Sequence, residues 1–339
     1  MLENWYYYTG LNPSEQKFYS NIVSAIESGR AMAYGTSIKS KESLARVVRA
    51  VEYDHPEFFY INFNRLKFAS GLVGFEYFIP YLMRGDERQA AVELMNQKVG
   101  EALAEIRKAD VSTGLKTVAA IHNYLVSHII YDKKAAEAPE DNLEAFSIAG
   151  VFFKRRAVCS GLAKAFQLLC QKCDIDVMSV PGESLWDDYG IGPHAWNIVR
   201  VRGICAHVDV TWDLVMSRAC LSVRSDYFCL SDKEITIDHR ITGRAPTCDV
   251  NDHLEYFRNT GNFVQNEDEL KTWLDKRLYG KPGVICFKMD PFAPVSMEEL
   301  GKLTHQAIAR KYWLGAELTH CDNPRQKIVF VRIAPRTIL

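Results

Sequence analysis

A chain of 339 residues exceeds what one compact core usually holds, so two or three packed units are expected. Its 47% apolar and 24% charged residues are an ordinary globular balance, which excludes a disordered, collagenous or fibrous chain. Lys+Arg 41 against Asp+Glu 42 leaves a formal charge of −1, no bulk reason to seek nucleic acid or an anionic membrane, and no apolar run reaches the roughly 18–20 residues of a membrane span.

The start, Met1-Leu2-Glu3-Asn4-Trp5, lacks a basic stretch followed by an apolar one, so no secretory signal is expected. Nine cysteines, an odd number scattered along a long chain, suit free thiols in a reducing compartment, with the cytoplasm as default. Residues 1–111 read as a mainly helical region. Asn12-Pro13-Ser14-Glu15 is a helix opening, and Phe18, Ile22 and Ile26 form its buried stripe before Gly29. A helix around Glu42–Val51 follows, then extended aromatic stretches at 58–63 and 72–79, then a long helix over 86–108 with Ala90, Leu94, Val99, Leu103 and Ile106 inward. Ser112 is expected to cap the next helix, and the composition at 136–142 reads as a surface loop. Residues 112–258 form the chemical core; 259–339, in the order α-β-α-β-β with a hairpin at Asp322-Asn323-Pro324, form a small α+β unit.

Three motifs carry the chemistry. In Val158-Cys159-Ser160-Gly161 the cysteine begins an amphipathic helix, where unpaired N–H groups and the dipole favour a thiolate, the attacking form. Ser160 and Gly161 are small enough to admit a substrate backbone. His194-Ala195-Trp196-Asn197 opens a strand that turns at Arg202-Gly203 and returns over Ile204–Thr211. That two-residue turn sets His194 opposite Thr211 and diagonal to Asp209 of His207-Val208-Asp209. Asp209 then accepts the Nδ1 proton of His194, and the other ring nitrogen takes the proton of Cys159.

These ordered motifs, with Ile130-Tyr131-Asp132 ahead and Tyr227–Asp232 and His239 behind, resemble the transglutaminase-like superfamily, a branch of the papain-like cysteine-enzyme fold, over residues 112–240. The resemblance is to its bacterial and cytokinesis-associated branch. It implies Cys159 as nucleophile, His194 as base and Asp209 as orienting carboxylate, on an α+β core whose cysteine helix packs on an antiparallel sheet. It also implies cysteine-dependent acyl transfer or hydrolysis at amide bonds of a peptide or protein, through a thioester and without cofactor or metal. Departures are Leu162, where relatives often carry an aromatic residue, and Ile204-Cys205-Ala206, where they often carry a Trp-Tyr pair.

Each motif also has a plainer reading. Cys170-x-x-Cys173 falls within the cysteine helix and reads as core packing rather than a redox pair. His194, His207, Asp209 and Asp213 could in principle ligate a metal, but one nucleophilic Cys with one His argues against it. Trp196 shares the face of His194 and suits a cleft wall or the core equally, whereas Trp212 has the parity to pack beneath the sheet. His239 reads as a structural hydrogen-bonder, and Asp213 is the reserve carboxylate. From a different functional class, the chain could be a non-catalytic module that uses the same cleft to hold a peptide or cell-wall-related partner.

Overall fold

The computed structural model describes residues 5–36, 38–71, 74–186, 191–250, 253–280, 283–312 and 316–335. The N-terminal region contains α1 (Tyr6–Thr9), α2 (Pro13–Glu27), β1 (Met32–Gly35), α3 (Lys41–Asp54), β2 (Lys67–Gly71), β3 (Gly74–Phe78) and α4 (Gly85–Ile106). Helix α2 opens as its sequence dictates: Asn12 accepts from the Ser14 and Glu15 N–H groups, and the Glu15 carboxylate reaches back to Asn12. Phe18, Ile22 and Ile26 are buried.

Three expectations for this half are corrected. The stripe of α4 is rotated by one residue: Met95 lies in line with Val99, Leu103 and Ile106, leaving Leu94 44% exposed and Ala90 outside. The 58–63 stretch is irregular apart from one bridge, Ile61 to Tyr81, while β1, unexpected, joins β3 and β2 in a small antiparallel sheet. Thr113, rather than Ser112, caps the next helix.

The core comprises α5 (Gly114–His128), β4 (Ile130–Tyr131), α6 (Lys133–Glu137), β5 (Arg156–Ala157), α7 (Cys159–Gln171), β6 (Asp176–Ser184), β7 (Gly192–Val201), β8 (Ile204–Val208), α8 (Val210–Cys220), β9 (Phe228–Leu230), α9 (Asp232–Ile235) and β10 (His239–Ile241). The 136–142 segment, read as loop, holds the end of α6 and a 3-10 turn. Five strands form an antiparallel sheet in the order β10-β6-β7-β8-β9, with α7 packed on one face. Arg202 (φ 52°) and Gly203 (φ 82°) supply the two left-handed residues of a tight turn between β7 and β8, and Val201↔Ile204 through Asn197↔Val208 pair as expected. The return strand stops at Val208, three residues early.

The C-terminal unit has α10 (Tyr256–Asn259), β11 (Phe263–Val264), α11 (Glu267–Tyr279), β12 (Val284–Met289), α12 (Met297–Tyr312), β13 (Ala316–His320) and β14 (Ile328–Pro335). It matches the expected element order, with β11 added beside β12. One apolar cluster runs unbroken from Leu11 through Phe166 to Leu254, so the N-terminal region and the helix face of the sheet share a core. A second, containing Trp196, Trp212 and Tyr227, lies on the other side of the sheet; a third belongs to the C-terminal unit.

Cys220 and Cys321 form a disulfide between core and C-terminal unit, which corrects the expectation that all the thiols are free; seven others are free. Among the described residues no helix is long and apolar enough to cross a membrane.

Candidate active site

Cys159 stands at the first position of α7 because the chain before it is held from two sides. Ala157 pairs with Tyr131 in the β4–β5 ladder, and the Val158 N–H donates to the Ala145 carbonyl at 3.0 Å. Gly161 completes this anchorage: a Cβ there would lie 2.3 Å from the Ala145 oxygen. Gly161 is therefore buried against the preceding segment and does not line the cleft, correcting one assignment; Ser160 does line it.

His194 lies on β7 directly across from Gly182 of β6. Its Nε2 donates to Asp209 Oδ2 at 2.7 Å, and the Cys159 thiol is near enough to help hold the ring protonated. With Nε2 on the carboxylate, Nδ1 is the nitrogen left for sulfur, the reverse of the tautomer expected from sequence. Asp209 is not on a strand either. It is the N-cap of α8, its Oδ1 accepting from the Thr211 and Trp212 N–H groups at 2.8 and 3.3 Å. That cap ends β8 at Val208, so His194 has no Thr211 partner; the carboxylate reaches the ring from the strand–helix junction.

Burial pushes the His194 ring toward its neutral form, but Asp209 and then Cys159 outweigh it and raise the ring to about 10. Burial also opposes ionisation of Asp209, yet His194 and His239 hold it well below the usual carboxylate range. Tyr131, beside this site, is raised by burial and by the charges of Cys159 and Asp209.

Around the pair lies an aromatic wall. Trp196 is 1% exposed, stacks on His194 at 6.0 Å and donates its Nε1–H to His207 Nδ1 at 3.0 Å. It is core, and its assignment to the substrate cleft is corrected. Gly182 makes room for it, since a Cβ would sit 2.3 Å from the indole. Trp212, carried by α8, packs beneath the sheet as expected, 5.9 Å from His194 and 4.2 Å from His239, centroid to centroid.

His239 is closer to the site than its sequence position suggested. Its Nε2 lies 3.1 Å from Asp209 Oδ2, the same oxygen His194 uses, and its Nδ1 lies 2.7 Å from Asp238 Oδ1. Asp213, the reserve carboxylate, is engaged elsewhere, by His122 at 2.9 Å and the Tyr227 N–H. Cys170 is buried in α7, whereas Cys173 lies just past the helix end.

Two clusters bring donor atoms within reach of one cation: His194, Asp209 and His239, and His207, Asp232 and Cys248. In both, the ring nitrogens are already engaged. His207 accepts from Trp196 at Nδ1 and faces Asp232 through Nε2 at 2.9 Å, while His194 and His239 bridge the groups above. A metal at either cluster would have to displace these ring contacts, although the carboxylates and the Cys248 sulfur keep lone pairs to offer.

Cys159 and His194 open onto a cleft of about 630 Å³. Ser160, Phe146 and Pro193 line the core side; Glu52, Phe59 and Leu82 line the opposite wall, supplied by the N-terminal region. Lys164, one turn beyond the cysteine, meets Glu52 across it at 2.8 Å. A half-buried sulfur, an imidazole held by a carboxylate, and the unpaired N–H groups at a helix start can together attack a carbonyl and stabilise the oxyanion that forms.

Part of the chain is similar to known proteins. Residues 101–212 match the family model described as the transglutaminase-like superfamily. Human kyphoscoliosis peptidase is 30% identical over 142 residues, 38% of this chain and 21% of that protein. The mouse protein is 30% identical over 125 residues, 35% of this chain and 18% of its own length. The chain thus spans about a fifth of these relatives. A crystal structure of a TGase aligns with 43% of this chain and 44% of its own, at 16% identity and a TM-score of 0.32.

Proposed function

From the premise that this chain carries a core of the transglutaminase-like superfamily, we propose that it is a cysteine-dependent enzyme acting on amide bonds of peptides or proteins. One observation carries the reading: an imidazole held by a buried carboxylate lines the same cleft as a half-buried cysteine at a helix start. Cys159 attacks the amide carbonyl as the thiolate, His194 being the imidazolium. His194 Nδ1 then gives its proton to the leaving amine, and Asp209 holds the ring in place. The Cys159 N–H supplies one oxyanion donor. A thioester remains on Cys159. Water resolves it in a peptidase or amidase, a primary amine in a transglutaminase; the reading favours water, because no amine-acceptor site is marked.

Kyphoscoliosis peptidase, similar over 38% of this chain, is named as a peptidase, which supports that choice. Seven free thiols favour a reducing site of action such as the cytoplasm, and the Cys220–Cys321 pair one where disulfides form; non-reducing mass spectrometry of protein from its native compartment separates the two.

The test incubates the protein with a proteome-derived peptide mixture, with and without a dansylated primary amine. New termini that vanish in Cys159→Ser identify hydrolysis; dansyl incorporation at Gln identifies transamidation. Identical peptide profiles for wild type and Cys159→Ser would leave the cleft as a binding surface only.

A further inference from the structure

The proposed site does not end at Asp209. His239, at the start of β10, and Asp238 just before it are 1% exposed or less. Asp238 is crowded with donors: Oδ2 accepts from the Tyr227 hydroxyl at 2.8 Å and from Gln326 Nε2 at 3.1 Å, while Oδ1 faces His239. Gln326 belongs to the turn between β13 and β14, in the C-terminal unit. The same turn sends Asn323 Nδ2 to the Tyr227 hydroxyl at 3.3 Å and to Asp226 at 3.1 Å. Both carboxamides are fully buried. A surface hairpin has no folding reason to bury two amides in another unit's core unless they complete hydrogen bonds there.

The turn is fastened where it enters. Arg224, paired with Asp226 through both guanidinium arms, donates to the Cys321 carbonyl at 2.6 Å, and Cys321 is bonded to Cys220. Lys288 of β12 meets Glu234 at 2.8 Å, the residue whose carbonyl also receives Gln326.

We propose that the C-terminal turn is a positioning element of the active site: Gln326 and Asn323 fix Asp238 and Tyr227, Asp238 fixes His239, and His239 holds the Asp209 oxygen that orients His194. The ring of His239 bridges Asp238 and Asp209, one nitrogen facing a carboxylate oxygen of each. It shares Oδ2 with His194 and sits 5.4 Å from that ring, so where His239 is held decides how the Asp209 carboxylate meets His194. When a donor to Asp238 is lost, Asp238 and the His239 ring lose their fixed positions, and the Asp209 oxygen is no longer held toward His194. The C-terminal unit is then part of the catalytic apparatus rather than an appendage.

This inference rests on the proposed Cys159–His194 chemistry and is tested on the full chain with iodoacetamide as probe. The rate of Cys159 alkylation is followed from acid to alkaline pH in wild type, Gln326→Ala, His239→Gln and Tyr227→Phe, with thermal denaturation alongside. Tyr227→Phe removes one hydroxyl and no volume, so it stays informative if the others unfold. In each folded variant the alkaline transition moves down by about half a pH unit or more, because a misplaced Asp209 raises His194 less, and the neutral-pH rate falls on the order of tenfold. Folded variants whose profiles superimpose on wild type overturn the inference. If wild-type Cys159 is itself no faster than the other thiols, the functional reading fails instead, and the two failures are distinct.

Discussion

The histidines of two His–carboxylate–cysteine groups sit on neighbouring strands of one sheet, and the groups differ in access and linkage. His207 meets Asp232 at 2.9 Å, against 2.7 Å for His194 and Asp209, but Cys248 joins its group through the carboxylate, its backbone N–H donating to Asp232 at 3.0 Å. Yet Cys248 is buried, and burial pushes its thiol well above the ordinary range. His207 is driven below its usual value by burial, with Asp232 offsetting only part of it, and its second nitrogen is occupied by Trp196. His194 is raised instead, Cys159 being one of the causes, and both line the cleft. Residue types alone do not make a nucleophile. Access, and an imidazole nitrogen facing the thiol, separate the two groups.

The comparison can be broken at either end. The largest effect is expected for His194→Ala, which should slow turnover and Cys159 alkylation by about 10²–10⁴ while leaving the fold intact. Retention of wild-type rates would equate the two clusters. Next, Cys321→Ser should lower unfolding stability by about 2–4 kcal/mol, read by urea denaturation, because the disulfide closes a loop of 101 residues. His207→Gln should cost about 1–3 kcal/mol by leaving Trp196 and Asp232 without their partner, with Cys159 alkylation unchanged. A loss of alkylation in that variant would bring the second cluster into the site. The smallest effect, Cys248→Ala, should stay within about 1–2 kcal/mol and alter no rate.

pH sharpens the same contrast. His194 is raised in the folded protein, so its contribution to stability is whole below about 6.5 and is lost as pH rises to about 10. Over pH 7–10 wild type should therefore lose stability more steeply than His194→Ala, as measured by urea denaturation at each pH. Parallel curves would remove the Asp209 contribution.

What the chain discloses in one dimension follows from the range of the forces involved. The β7–β8 register was legible because a two-residue turn at Arg202-Gly203 leaves a single pairing, and that pairing brings His194 and Asp209 to one end of the sheet. The helix start at Cys159 was legible from the apolar steps at Phe166 and Leu169. The cap at Asp209, which accepts from the Thr211 and Trp212 N–H groups, is a local signal masked by the strand alternation around it. Trp196 could not be assigned by parity, because both faces of the sheet are covered. His239 and Gln326 reach the site from 30 and more residues away through polar contacts that leave no periodic trace. The Cys220–Cys321 bond likewise joins positions whose spacing carries no motif.

The most direct measurement is the second-order rate of Cys159 alkylation by iodoacetamide as a function of pH, resolved from the other thiols by peptide mass spectrometry. The account predicts that Cys159 reacts rapidly at mildly acid pH, where ordinary thiols are inert, and that His194→Ala returns it to their behaviour. A Cys159 rate that climbs only toward pH 8–9, in step with exposed thiols and unaltered by His194→Ala, would contradict it.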